Sequence, residues 1–276
     1  TSLMTLKTFT IWANNSGGSA SATLNITVND VAPGPFEYNP ENNTWTNNSE
    51  VHLAPSFVHQ TTGNGSTWQV ANIRSGSGSS VPGLNMEILV GDTIYFDAND
   101  GSTGYELWAH DTSNASTWQV ADIHSGSSNS NPGQYMSILV GDTLYFSAHG
   151  PSSSTELWAH DTSNASTWQV ADINSGSGNS WPGQLMEILV GDTLYFSAND
   201  GNSGHELWAH DTSNASTWQV ADINSGGGSS LPGLHMSILV GDTLYFDATG
   251  SSGNELWAHD TSNASTWRVT DVNSGT

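Results

Sequence analysis

The sequence predicts an all-β fold, a β-propeller of four-stranded blades of about 50 residues each. Three observations predict it. The stretch at 171–220, ADINSGSGNSWPGQLMEILVGDTLYFSANDGNSGHELWAHDTSNASTWQV, recurs from Ala71, from Ala121 and, one residue shorter, from Ala221. Each copy holds four short runs of β-branched and aromatic residues, parted by Gly, Asn, Asp and Ser. No helical period or helix-capping signal interrupts them. Radial closure would also protect strand edges. An open β-solenoid is the alternative that the same period allows.

The chain opens differently. Residues 8–13 alternate, Asn14-Asn15-Ser16-Gly17-Gly18 turns, and residues 22–28 alternate again. That pattern predicts a β-hairpin over 1–30. It resembles the last two strands of the Ig-like domains that accompany repeats in large surface proteins. A lone hairpin is marginal in water. Its apolar set, Phe9, Ile11, Leu24, Ile26 and Val28, therefore needs a partner surface. The expectation is that it completes a sheet with a neighbouring subunit, in a surface assembly or filament.

The repeat domain spans 31–276. Its first unit, 36–73, is degenerate: Phe36-Glu37-Tyr38 and Thr44-Trp45-Thr46 stand one period before the first two strands of the next unit. Full units follow at 74–123, 124–173, 174–223 and 224–276, making five blades. In the third full unit the strands are expected at 186–190, 193–198, 206–210 and 217–223. A Gly-Asp turn, an Asn-Asp-Gly loop and an Asp-Thr-Ser-Asn-Ala-Ser turn join them. A Gly/Ser loop with one Pro crosses to the next unit.

Charge narrows the function. There are 3 Lys and Arg against 26 Asp and Glu, a formal net charge of −23. Nucleic-acid binding needs phosphate-neutralising cations, and docking on anionic lipid needs them too, so both are excluded as expectations. Such acidity keeps a surface soluble in salty water. No run is long enough for a membrane span. With no cysteine, redox compartment is not legible. The chain reads as a mature or trimmed piece of a longer polypeptide.

Sequons stand at Asn14, Asn25, Asn42, Asn47, Asn64, Asn114, Asn164, Asn214 and Asn263. The last five fall in register, just before each STW. They read either as an N-glycosylated exterior loop or as turn chemistry alone. With the acidity, they point outside the cell.

Glu206-Leu207-Trp208-Ala209-His210-Asp211, followed by Val220-Ala221-Asp222-Ile223 and by Leu244-Tyr245-Phe246, resembles the ELW repeat of secreted bacterial and archaeal proteins. The likeness covers about residues 66–276. It departs at turn positions: Asp211-Thr212-Ser213 and Ser216-Thr217 replace the family's DGT and GT, and Asn224-Ser225-Gly226 stands where it has Pro-Gly. The AHDTSNASTWQVADINSG version resembles surface proteins of marine planktonic archaea. The resemblance implies a secreted or surface-anchored propeller-like module, without a known reaction.

Four constellations are candidates. His-Asp pairs end each third strand, at His110-Asp111, His160-Asp161, His210-Asp211 and His259-Asp260. Adjacent strand residues point to opposite faces, so the Asp is expected to accept turn N–H groups and the His to sit at the rim. The loops at Asp122, Asp172 and Asp222 are candidate Ca²⁺ ligands, with an Asx-turn as the alternative. Glu37, Glu87 and Glu187 on first strands would converge on a central channel, where carboxylate pairs hydrolyse glycosides. No catalytic residue is assigned.

The fourth is a set of positions that differ between copies: Val81, Asn131, Trp181 and Leu231; Asn85, Tyr135, Leu185 and His235; Tyr105, Thr155, His205 and Asn254. They fall in the crossing loop and the second-to-third loop, which share one face of an up-and-down blade. Drift of solvent loops explains such variation, and so does a binding face. Trp181, Tyr135, Tyr105, His205 and His235 are the candidate ligand-binding residues, suited to sugar or protein.

The reading is a non-enzymatic extracellular or cell-surface structural or adhesion module. Its expected partners are other copies of itself, neighbouring surface-protein domains, or glycans. No cofactor is required, and Ca²⁺ is a candidate. A lectin-like propeller is the alternative, and a glycoside hydrolase a third.

Overall fold

The computed structural model describes residues 6–15, 18–27, 38–39, 44–45 and 67–271. The chain divides into two compact units, Thr1–Thr67 and Trp68–Thr276. In the first, β1 (Leu6–Asn15) pairs antiparallel with β2 (Gly18–Thr27), Asn15 opposite Gly18. The apolar contacts expected of this hairpin fall outside the described residues. β3 (Tyr38–Asn39) pairs with β4 (Thr44–Trp45), Tyr38 opposite Trp45 and Asn39 opposite Thr44. This is the register, one repeat earlier, of Ile88 opposite Tyr95 and Leu89 opposite Ile94. The rest of the expected degenerate blade, up to residue 66 and including Asn64, lies outside the described residues.

The second unit holds four antiparallel four-stranded sheets in sequential order, the blade architecture of a β-propeller. Blade 1 is β5 (Glu87–Val90), β6 (Thr93–Asn99), β7 (Tyr105–Asp111) and β8 (Ser116–Ala121). Blade 2 is β9 (Ser137–Val140), β10 (Thr143–His149), β11 (Thr155–Asp161) and β12 (Ser166–Ala171). Blade 3 is β13 (Glu187–Val190), β14 (Thr193–Asn199), β15 (His205–Asp211) and β16 (Ser216–Ala221). Blade 4 is β17 (Ser237–Val240), β18 (Thr243–Gly250), β19 (Gly253–Asp260) and β20 (Ser265–Arg268). No helix among the described residues is long and apolar enough to cross a membrane.

Period-2 alternation decides how the blades stack. One face of blade 1 presents Tyr95, Leu107 and Ala109, with Met86 and Ile123. Against it lie Leu144, Phe146, Ala148 and Trp158 of blade 2. The same core recurs between blades 2 and 3 and between blades 3 and 4. Burying each large apolar side chain contributes about 1.5–3 kcal/mol, so these joints hold the unit together.

Three of the four histidines belong to these joints, which corrects the expectation of a rim position for them; His110, in blade 1, is half-buried. His160, His210 and His259 are each 1% exposed. Their rings lie 5.4, 5.3 and 5.2 Å from Tyr95, Tyr145 and Tyr195 of the preceding blade. Each Nδ1 is 2.8 Å from a threonine Oγ1, that of Thr167, Thr217 or Thr266. Desolvation holds all three below the usual imidazole range.

Candidate functional site: the variable rim

The rim is built on a repeated X-Pro-Gly turn. Asn131, Trp181 and Leu231 each accept a hydrogen bond from the backbone N–H three residues on, at 3.3, 3.2 and 3.3 Å. The glycine at the third place has positive φ, as a type II turn demands: Gly133 +81°, Gly183 +79°, Gly233 +77°. The variable first residue is itself left-handed: Val81 at 41°, Asn131 at 45°, Trp181 at 44° and Leu231 at 51°. Non-glycine residues there are strained by roughly 1–3 kcal/mol, and such strain gathers at functional sites.

Two variable sets meet at this turn. The carbonyl of Tyr105 accepts the N–H groups of Ser130 and Asn131, at 2.9 and 3.2 Å. That of His205 accepts Ser230 and Leu231, at 2.9 and 3.1 Å, and that of Thr155 accepts Ser180 at 2.9 Å. Within blade 3 the rings of Trp181 and His205 stack, with centroids 5.6 Å apart and planes 15° off parallel. Desolvation lowers the His205 pKa. Trp181 and His205 are thus brought together. Tyr105 keeps company with Asn131 through its backbone. Tyr135 and His235 stand at equivalent places in blades 2 and 4, with blade 3 between them.

The second variable set follows an internal rule. Asn85 donates its backbone N–H and its amide to Asp97, at 2.8 and 2.7 Å. His235 does the same with Asp247: its N–H reaches Oδ1 at 2.9 Å and its Nδ1 lies 2.8 Å from Oδ2. Where the partner is a serine, the variable residue is Tyr135 or Leu185, whose N–H donates to Ser147 or Ser197 Oγ at 2.9 Å. Asp goes with a hydrogen-bonding side chain and Ser with a bulky one. Burial raises the Asp247 carboxyl. The N–H groups of Met236 and His235, the His235 ring and the Asn254 amide outweigh that and hold it at about 2. The paired changes were visible among the four copies, and sequence reasoning missed them.

The ELW glutamate was also missed. Glu106, Glu156 and Glu206 are fully buried. Glu206 Oε2 accepts the Ile223 N–H at 2.8 Å and Ser230 Oγ–H at 2.7 Å, and Oε1 accepts the Ser230 N–H at 2.8 Å. Glu106 makes the three corresponding bonds to Ile123 and Ser130. Glu156 makes two, from the Ile173 N–H and the Ser180 hydroxyl to Oε2, and its buried Oε1 has no hydrogen-bond partner. Each carboxylate ties the start of a crossing loop to its end. Desolvation, against these donors, pushes Glu106 and Glu156 up to about 7 and raises Glu206.

The opposite rim is constant. Asp111 accepts from the Ser113 N–H at 2.8 Å and from the Asn114 amide at 2.6 Å, while Asn114 Oδ1 accepts the Ser116 N–H at 2.9 Å. The Ser113 hydroxyl and N–H lead in holding Asp111 below the carboxylate range. Asn114, Asn164, Asn214 and Asn263 are exposed there. In the Gly-rich loop, Asn174 and Asn224 donate to the carbonyls of Asn179 and Ser229, at 3.0 and 3.1 Å. These contacts span five residues and brace the loop from within. Asp122, Asp172 and Asp222 are exposed, and no group of three acidic or histidine side chains that could hold a metal forms among the described residues. Glu87 and Glu187 lie two blades apart, with Ser137 at the place between. Glu187 keeps an exposed flank, yet desolvation of its carboxyl, opposed by the Ser137 N–H, pushes it up to about 7.

Known structures resemble the chain distantly. A puromycin hydrolase matches 68% of this chain over 28% of its own, at 15% identity and a TM-score of 0.45. A puromycin-hydrolysing peptidase of Mycobacterium tuberculosis matches 72% over 30% of its own, at 11% and 0.45. TolB of Acinetobacter baumannii matches 65% over 41% of its own, at 14% and 0.37. The chain therefore spans less than half the length of each. No family model and no curated protein matches it.

Proposed function

We propose that this chain is a non-enzymatic, extracellular or cell-surface module with a structural or adhesive role. One observation carries the reading: the repeated ionisable groups are committed to holding the blades. Glu106, Glu156 and Glu206 tie crossing loops, Asp111 and its equivalents cap turns, and the buried histidines pack between blades. The acidic composition and exposed sequon asparagines suit the outside of a cell. Beads coated with the full chain should adhere to cell surfaces or extracellular polysaccharide more than albumin-coated beads. Equal retention across all such surfaces would count against an adhesive role.

A lectin-like use of the variable rim is the second reading, favoured by the Trp181–His205 stack on a strained turn. An aromatic platform of this kind suits the apolar face of a sugar ring. Binding on a glycan array that is lost in Trp181→Ala, with an unchanged melting temperature, would support it. An array without signal would remove it.

A further inference from the structure

We infer that blade 4 of one molecule docks on blade 1 of a second copy, head to tail, through the joint already used between blades. The inference rests on the structural reading above and names its partner.

The three internal joints define what each face is built to hold. Met86, Met136 and Met186 are 3, 2 and 4% exposed. Each lies against the glycine of the next blade's X-Pro-Gly turn, Gly133, Gly183 or Gly233. Ile88, Ile138 and Ile188 are half-buried beside them, and Leu107, Leu157 and Leu207 are fully buried.

Blade 4 presents the same side chains uncovered. Met236 is 42% exposed, Ile238 52% and Val240 57%. Leu256 is half-exposed where its three equivalents are buried.

Blade 1 carries the other half of the joint. Gly83 has φ +72°, and its N–H donates to the Asp97 carbonyl at 2.8 Å, as that of Gly133 does to Ser147 at 2.8 Å. A β-carbon on Gly83 would meet only Glu87 and the Met86 carbonyl, with no methionine side chain over it. Pro82 is exposed where Pro132, Pro182 and Pro232 are buried. Leu89 is 62% exposed, whereas Leu139, Leu189 and Leu239 pack into the core shared with the preceding blade.

The two faces are therefore a plug and its socket, made of residues that already fit three times. Two blade 4 faces brought together would set methionine on methionine, without the glycine gap. The joint is heterologous, so it closes a ring or extends a chain of copies. The net charge of −23 opposes association at low salt, and at about 1 M salt the Debye length falls to about 3 Å.

Sedimentation velocity on the full chain at about 1 M salt should show dimers or longer species growing with concentration. Met236→Glu should weaken association by about tenfold or more, with an unchanged melting temperature, since the side chain is already exposed. The chain has no cysteine, so single cysteines report the geometry. A short bis-maleimide should link a mixture of Met236→Cys and Pro82→Cys preparations into heterodimers, and neither preparation alone. A monomer at every concentration overturns the inference; that includes a ring closed by residues of the same chain. Cross-linking of Met236→Cys only to itself overturns it too. A monomer that still adheres in the bead experiment leaves the structural reading standing.

Discussion

Met136 lies so close to Gly183 that a β-carbon on the glycine would fall well inside van der Waals contact with the methionine Cβ. The glycine is required twice, by its φ of +79° and by the neighbouring blade. Gly183→Ala should cost about 1–2 kcal/mol from left-handed backbone and about 1–3 from overpacking. Gly191→Ala is the comparison, with φ +58° and nothing within 4 Å. Chemical denaturation should show the Gly183 variant losing clearly more stability than the Gly191 variant.

Glu206→Gln keeps the shape of the side chain but replaces one acceptor oxygen with a donor facing the Ser230 N–H or hydroxyl. Leaving such groups unsatisfied costs about 1–3 kcal/mol. Ser230→Ala in the same background should then add less than it does alone. Full additivity in a double-mutant cycle would show that the two residues are not coupled.

The same glutamates make stability depend on pH. Their folded pKa is raised, to about 7 for Glu106 and Glu156, by desolvation first, with Asp122 and Asp172 adding to it. The folded state binds more protons than the unfolded one from the ordinary carboxylate range up to about 7. Their contribution is therefore fullest at low pH and is lost as pH rises through 7. The buried histidines have lowered pKa values and act in the opposite sense, losing stability as pH falls through the ordinary histidine value. The readout is thus a difference. The melting temperature of the wild type relative to Glu156→Gln should rise as pH goes from about 8 to about 5. A pH-independent difference would contradict the assigned titration.

Ala115, Ala165, Ala215 and Ala264 hold φ values of 58–60° in the sequon turns. Left-handed backbone costs an alanine about 1–2 kcal/mol, while glycine loses about 0.5–1 in chain entropy. Ala165→Gly keeps the Asn-x-Ser sequence and should raise stability by a few tenths to about 1 kcal/mol. A lower melting temperature would show that the alanine methyl makes a compensating contact.

What the sequence by itself determined is local. Alternation and turn residues placed four strands in each unit, and the third blade's strands fall within a residue or two of expectation. The Asp of each His-Asp pair was legible because its hydrogen bonds reach only Ser113 and Asn114 or their equivalents. The tertiary structure decided everything that passes between loops or blades. Alternation shows that His160 and Asp161 face opposite ways, but not that the histidine face is covered by Tyr95 of another copy. A glutamate inside ELW reads as one more polar strand residue until the crossing loop returns and brings Ser130 to Glu106. Met236 is followed by the same run as Met136, Ser-Ile-Leu-Val-Gly-Asp-Thr-Leu-Tyr-Phe, yet one is exposed and the other buried. Burial depends on whether another blade lies opposite, and local sequence carries no record of that.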